Sequence, residues 1–220
     1  MKLILASKSP RRKELLGSVL KNTSLNITTD IISADIDESN LPGEEPLEYA
    51  KRLAKEKGIA VAKEIYKNHS KKAEKNFLIL SADTIVVHHN KVYGKPIDNK
   101  NAIAILSELN GNQHSVITAF TFIRLTLPND AADPSQNKFS NCLIETTSDH
   151  DCTEVTFKKL TLKMISDYVA TGDPMDKAGA YGIQGPAQAF VADIKGSFNN
   201  VVGLPTEKIT QVLKKFYTQS

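Results

Sequence analysis

At 220 residues, with 40% hydrophobic and 24% charged side chains, the chain has the make-up of an ordinary globular protein and enough length to bury a substantial core. Its formal net charge of +3 is too small to argue for a nucleic acid or a membrane surface as partner, and no apolar run reaches transmembrane length. The two cysteines, Cys142 and Cys152, stand in no metal-type spacing and read as small hydrophobes, at most neighbours on adjacent strands. The opening apolar run Leu3–Ala6 is far too short for a signal segment, so a reducing cytoplasm is the default compartment.

Leu3–Ala6 reads as a short buried strand. Ser9 is a good N-cap and Pro10 suits the first helical position, so a helix opens there with Arg11 and Arg12 in its first turn. Strand, polar loop and helix N-terminus make an anion site: free N–H groups and the helix dipole favour a phosphate, and guanidinium forks bind one bidentately. The competing reading is a solvated first turn, against which stands the poor fit of arginine to the positive end of the dipole. Asn26–Ala34 is β-branched enough for a strand, and the acidic run Asp35-Ile36-Asp37-Glu38 after it reads as a charged turn or a metal site. Pro46 opens a long helix through Tyr66, with Ala50, Leu53, Ala54, Val61 and Ile65 as its apolar stripe. Lys57 falls on that stripe, where it either snorkels to solvent or points into a cleft. Lys71–Lys75 is a basic connection.

Phe77–Leu80 is a buried strand that Ser81-Ala82-Asp83-Thr84 interrupts before Ile85-Val86-Val87 resumes the apolar run. A carboxylate between apolar strand residues is expensive to bury alone, so Asp83 needs a metal, a partner or a cleft. His88–Lys91 reads as a hairpin turn with surface histidines, and the return strand ends in the restricted Gly94-Lys95-Pro96. Asp98 caps a helix through Leu109, with Ala102, Ile103, Leu106 and Leu109 inward and Gly111 at its end. Gln113–Leu127 alternates as one long strand, Pro128–Lys138 is a polar insertion, and Phe139–Thr147 and Thr153–Lys159 read as two further strands. Thr161 caps a helix through Val169 that Gly172 ends. Asp173–Gly185 then loses all period; its three glycines, with Ala178, Ala180, Tyr181 and Ile183 expected to pack, describe a loop lining a cleft. Ala189–Ile194 is strand-like, Gly196–Asn200 is a turn, and Thr206 caps a last helix with Ile209, Val212, Leu213 and Phe216 inward. The order of elements predicts an α/β fold, a mixed twisted sheet flanked by helices, over 1–220 as a single domain.

No Walker A motif occurs, no Gly-x-Gly-x-x-Gly follows a strand, and no Ser-His-Asp arrangement is suggested. What remains is an anion-binding start (Ser7, Ser9, Arg11, Arg12), two candidate lysines (Lys57, Lys95) and two acidic positions (Glu38, Asp83). Those parts suit phosphoryl chemistry, in which cations neutralise spreading charge and a carboxylate positions a metal or the attacking water.

These pieces in order, Ala6-Ser7-Lys8-Ser9-Pro10-Arg11-Arg12, Ile36-Asp37-Glu38, Ala54-Lys55-Glu56-Lys57, Ala82-Asp83-Thr84, Gly94-Lys95-Pro96, His114–Thr118, Asp173–Gly185 and Val201-Val202-Gly203-Leu204-Pro205, resemble the Maf family of nucleoside triphosphate pyrophosphatases from the first strand to the last helix. The resemblance implies two lobes around a deep cleft, usually in a homodimer, and hydrolysis of a nucleoside triphosphate to the monophosphate and pyrophosphate with a divalent cation (Mg²⁺, Mn²⁺ or Co²⁺). It implies Asp83 as proton acceptor, Glu38 with Asp83 at the metal, and Arg12, Lys57 and Lys95 holding phosphates with Ser7 and Ser9. Base selection is implied at Arg11, Thr84 and Gln184, and Asp173–Gly185 resembles the branch acting on dTTP and UTP. Asp173, in place of a common glutamate, Asn110, in place of serine, and a longer insertion after Pro128 are the departures. The rival readings are the same reaction on 7-methyl-GTP or a non-standard purine triphosphate, and a nucleotide-binding regulator of cell division that does not hydrolyse.

Overall fold

The fold is that of a computed structural model, which describes residues 2–23, 27–33, 35–68, 74–128 and 139–218. The apolar run Leu3–Leu5 becomes β1 (Lys2–Leu5), buried because strands flank both its edges and helices cover both its faces. It pairs in parallel with β2 (Thr29–Ile31) and with the first half of β3 (Asn76–His88). Two helices make the crossovers, α1 (Pro10–Thr23) and α2 (Pro46–Asn68). His89 and Asn90 adopt φ of 48° and 61°, the left-handed pair that a tight hairpin demands, and turn β3 into β4 (Lys91–Tyr93). Asp98 caps α3 (Asn99–Leu109) by accepting from the Asn101 N–H at 2.7 Å, after which β5 (Gln113–Thr126) and β6 (Leu143–Phe157) run antiparallel. Then come α4 (Leu162–Ala170), β7 (Val191–Lys195), α5 (Phe198–Val202) and α6 (Thr206–Thr218). The result is a seven-stranded mixed sheet in the order β2-β1-β3-β5-β6-β7, with β4 also on β3.

Side chains alternate across β3, and the alternation assigns its two faces. Leu78, Leu80 and Ala82 pack with α1 and α6 through Leu16, Val19, Ile209 and Leu213. Phe77 and Ile79 face α2 through Val61, Ala62 and Ile65. A separate cluster joins Val86 and Tyr93 to α3, α4 and Tyr181 beyond them. Between these clusters the sheet has a gap. β1 ends at Leu5 opposite Leu80, β4 begins opposite Val86, and Ser81–Ile85 pair with β5 on one edge while no described strand pairs with their other edge.

Several expectations change. Ser81–Thr84 do not interrupt β3, because its pairing with β5 continues unbroken from Asn76 to Val87. The two strands expected over 139–159 are one 15-residue strand; its polar middle, Ser148–Cys152, remains paired with β5 while its outer face meets solvent. Cys142 and Cys152 therefore lie just before and within the same strand, both free thiols. Ile105 rather than Ile103 joins the buried face of α3. Gly196–Asn200 is more than a turn: Ser197 caps the short α5. Of the strand expected over 26–34, Thr29–Ile31 is strand among the described residues, which exclude 26 and 34; residues 129–138 of the insertion lie outside the described residues, as do 71–73 of the basic connection. No helix among the described residues is long and apolar enough to cross a membrane.

Candidate active site

A cleft of about 420 Å³ opens at the gap in β3, and all ten residues singled out from the sequence line it. Its first wall is the β1–α1 junction. Ser9 caps α1 by accepting from the Arg12 N–H at 3.4 Å, and its own N–H donates to Ser7 Oγ at 3.2 Å. Arg12 is held from three sides: Nε donates to Gly203 O at 2.9 Å, Nη2 to Thr84 Oγ1 at 3.0 Å and Nη1 to Ser7 Oγ at 3.4 Å. Burial pulls the Arg12 pKa down, against the opposing pull of Asp83 and Glu38, yet a guanidinium keeps its charge.

The Thr84 contact extends inward. Thr118 gives its hydroxyl proton to Asn200 O at 2.9 Å, so Thr84 must donate to Thr118 Oγ1, also at 2.9 Å, while accepting from Arg12. Buried Asn200 also donates to Val116 O and Thr153 Oγ1, both at 2.9 Å, which locks α5 beneath the guanidinium.

The second wall follows from the strand alternation. Asp83 is the residue before Thr84, so it faces α2 instead of α1. Gly58 lets α2 come close: a Cβ there would stand 2.7 Å from both Ile123 Cδ1 and Ser81 Oγ. The adjacent Lys57 therefore reaches the carboxylate. Its Nζ lies 2.6 Å from Asp83 Oδ1 and 2.7 Å from Glu38 Oε1, with the lysine side chain only 17% exposed. The stripe position of Lys57 is an inward one, in the cleft. The loop carrying Glu38 is tied to α2 by Tyr49, whose hydroxyl donates to Glu38 O at 2.7 Å, and by Arg52, which donates to Ser39 O at 2.9 Å. Burial pushes the Glu38 carboxyl up, but the hydrogen bond and charge of Lys57, with the charges of Lys95 and Arg12, outweigh it and leave the group below its ordinary range.

Lys95 and Gln184 are exposed on the rim, and Arg11 Nη1 stands 3.6 Å from Asp176 Oδ2. In Asp173–Gly185, Ala180, Tyr181 and Ile183 are buried and Ala178 partly so, as expected of a packed loop. Tyr181 is anchored from below by His114 at the start of β5, Nε2 to hydroxyl 2.8 Å, and His114 Nδ1 has no partner among the described residues. Asn110, one of the departures in sequence, is a structural joint: it donates to Leu160 O at 3.0 Å and accepts from the Leu160 N–H at 2.7 Å.

Burial first, and the nearby charge of His88 second, push the His114 pKa down to about 4. Above pH 6.5 the ring is neutral in folded and unfolded chains alike. Between 6.5 and about 4 only the unfolded chain takes up the proton, so stability should fall as the pH drops through that window, by on the order of 3 kcal/mol from this group. Urea unfolding at pH 7 and pH 4.5 measures the loss, and His114→Gln should remove that part of it.

The sequence reading missed Tyr49, Asn200 and the dual service of Thr118. Thr118 was open to inference, since a threonine two residues from Val116 on a buried face needs an acceptor. Asn200 carried no signal, because its partners lie 47 and 84 positions away.

A mixed sheet split beside β3, with cations from α1, α2 and the β4 return facing two carboxylates across one cleft, defines an α/β protein built around a polyanion-sized, charge-lined site. The family model described as Maf-like protein matches residues 2–216. A protein from Photorhabdus laumondii named dTTP/UTP pyrophosphatase is 42% identical over 218 residues, covering 98% of this chain and 94% of that one. Proteins of the same name from Clostridium botulinum and Clostridium perfringens are 41% and 37% identical, covering 96% and 98% of this chain and 95% and 97% of theirs. The chain belongs to the Maf-like protein family.

Proposed function

We propose that the protein hydrolyses dTTP and UTP, the substrates its relatives are named for, to the nucleoside monophosphate and pyrophosphate by attack of water at the α-phosphorus. The observation that carries this reading is the convergence of Glu38 Oε1 and Asp83 Oδ1 on the Lys57 ammonium, in the same cleft as the Ser9-capped start of α1. On this reading Asp83 takes the proton of the attacking water at Oδ2, its Oδ1 held by Lys57. Ser7, Ser9, Arg12 and Lys95 bind phosphate oxygens, with Arg12 pre-aimed by Gly203 and Thr84, so little reorganisation accompanies charge build-up. Lys57 neutralises the carboxylate pair. The Gln184 amide donates to one pyrimidine carbonyl and accepts from the ring N3–H, while Arg11 and Thr84 complete base selection.

The carboxylates fit a divalent cation. Among the described residues no cluster of three or more His, Cys, Asp or Glu is placed to hold a metal, but Mg²⁺-type sites commonly take one or two carboxylates and complete themselves with phosphate oxygens and water. With Glu38 Oε1 and Asp83 Oδ1 taken by Lys57, Glu38 Oε2 and Asp83 Oδ2 are the hard oxygens that would be left to hold Mg²⁺, Mn²⁺ or Co²⁺. The ion, when bound, would neutralise charge on the phosphate oxygens. The reading extends to the chain acting as one domain of two lobes, in a cytoplasmic homodimer.

Pyrophosphate release from dTTP, UTP, dCTP, 7-methyl-GTP and ITP with each metal tests the proposal. Turnover of dTTP and UTP should exceed the rest by about ten-fold or more, and Gln184→Ala should erase most of that margin. A flat profile, or one led by 7-methyl-GTP or ITP, would overturn it.

A further inference from the structure

Lys177 also lines the cleft and differs from Lys57 and Lys95 in what surrounds it. Its side chain is only 9% exposed, and its ammonium donates to Asp173 O, to Asp173 Oδ1 at 3.0 Å and to Asp176 Oδ1 at 2.7 Å. Three N–H bonds meet three acceptors of its own loop, so no donor is left for a substrate phosphate. The aliphatic stem has a second task. A Cβ at Gly182 would stand 2.6 Å from Lys177 Cε and 2.8 Å from Cδ, so the backbone at Gly182 rests directly on the lysine.

The same carboxylate links a second support to Gly182. Asp173 Oδ2 accepts from the Tyr168 hydroxyl at 2.6 Å, and that hydroxyl accepts in turn from the Gly182 N–H at 3.3 Å. The Tyr168 ring is set edge-on against Phe190, centroids 5.1 Å apart, so the hydroxyl is placed by packing. Asp176 carries the network across the cleft to Arg11. Gly182 is thus gripped by a stem and a hydroxyl, both fastened to Asp173, two residues before Gln184.

We propose that Lys177 and Tyr168 are positioning residues that fix the backbone from Gly182 to Gln184 and thereby set discrimination between bases, without binding phosphate and without taking part in the hydrolysis. The inference rests on the reading in which Gln184 meets the base. A displaced Gly182 misaims the Gln184 amide, whereas the phosphate site at α1 and the carboxylates at β3 sit on other elements. The cost therefore belongs to KM for the preferred nucleotide and leaves kcat nearly untouched.

Two variants test this. Tyr168→Phe removes the hydroxyl and keeps the ring; the double variant Asp173→Asn/Lys177→Met removes the pin without changing net charge. The wild type and both variants are compared for kcat and KM on dTTP and dCTP and for inhibition by inorganic tripolyphosphate, which has no base; thermal melting monitors folding. The dTTP-over-dCTP ratio of kcat/KM should fall about five-fold in Tyr168→Phe and about ten-fold or more in the double variant, chiefly through KM for dTTP, with tripolyphosphate inhibition within about two-fold of wild type. An unchanged ratio overturns the inference, as does tripolyphosphate inhibition that weakens in step with KM for dTTP, which would make Lys177 a phosphate ligand. If the double variant does not fold, Tyr168→Phe decides alone. A wild type that does not favour dTTP refutes the reading of Gln184 itself, and the inference with it.

Discussion

Asp83→Asn should lower the rate of pyrophosphate release by about 10³-fold, within the range that general-base catalysis contributes. The argument is steric as well as chemical. Asparagine matches the carboxylate in size, and its carbonyl oxygen can still accept from Lys57, which stands at 2.6 Å from Oδ1 in the native pair. Lys57 also keeps Glu38 as a counter-charge at 2.7 Å, so no unpaired cation is created. β3 is held by backbone pairing with β5 on both sides of position 83, independently of this side chain. The melting temperature should therefore move little and nucleotide binding should survive, leaving the lost proton acceptor as the cause of the lost rate. Steady-state release of pyrophosphate, with binding measured separately by calorimetry, checks both halves. A variant retaining more than a tenth of the wild-type rate would sink the assignment of Asp83.

Lys57→Met should be damaging in a different way, costing both activity and stability. Methionine fills the channel along α2 but leaves Asp83, 10% exposed, facing half-exposed Glu38 with no charge between them. Removing one partner of a fully buried ion pair costs about 3–5 kcal/mol; here the cleft admits water, so about 2 kcal/mol is expected. The Glu38 carboxyl, held low by the Lys57 hydrogen bond and charge against burial, should shift upward. kcat/KM for dTTP should drop by about 10²-fold or more, because a pre-aimed cation is lost from a partly desolvated site. Urea unfolding measures the stability term. Adding Glu38→Gln should recover part of the stability and none of the activity, since it relieves the repulsion without replacing the cation. Wild-type turnover in Lys57→Met would remove the lysine from the site.

Much of the site was legible because its signals are local. Ser9-Pro10 marks a helix start through a cap and a preset φ, and the cap bond to Arg12 is present. Lys57 lies on the apolar stripe of α2, and a charge on a buried stripe must point at something. Asp83 among apolar strand residues carried the same implication, and one residue answers the other. The element limits were less legible. The polar middle of β6 mimics a break because polar runs are common in loops, whereas a strand with a solvated face keeps its hydrogen bonds through such a stretch. Ser81–Thr84 misled for a related reason: the residues serve a cleft, while the backbone serves β5.

By itself the sequence determined the starts of the longer helices, the long strand β5, the inward cations and carboxylates, and through its ordered motifs the family, all of them properties of residues a few positions apart or of pattern alone. Only the tertiary structure decided that β1 stops and β4 starts on the same edge of β3, leaving the gap in which consecutive residues Asp83 and Thr84 address α2 and α1 from opposite faces of one strand. It also decided that Arg12 is aimed by a carbonyl 191 residues away and that Asn200 holds Thr118 across 82. Such contacts join segments whose own propensities are satisfied without them, so nothing in either segment announces the partner; strand pairing and helix packing bring them within hydrogen-bond reach.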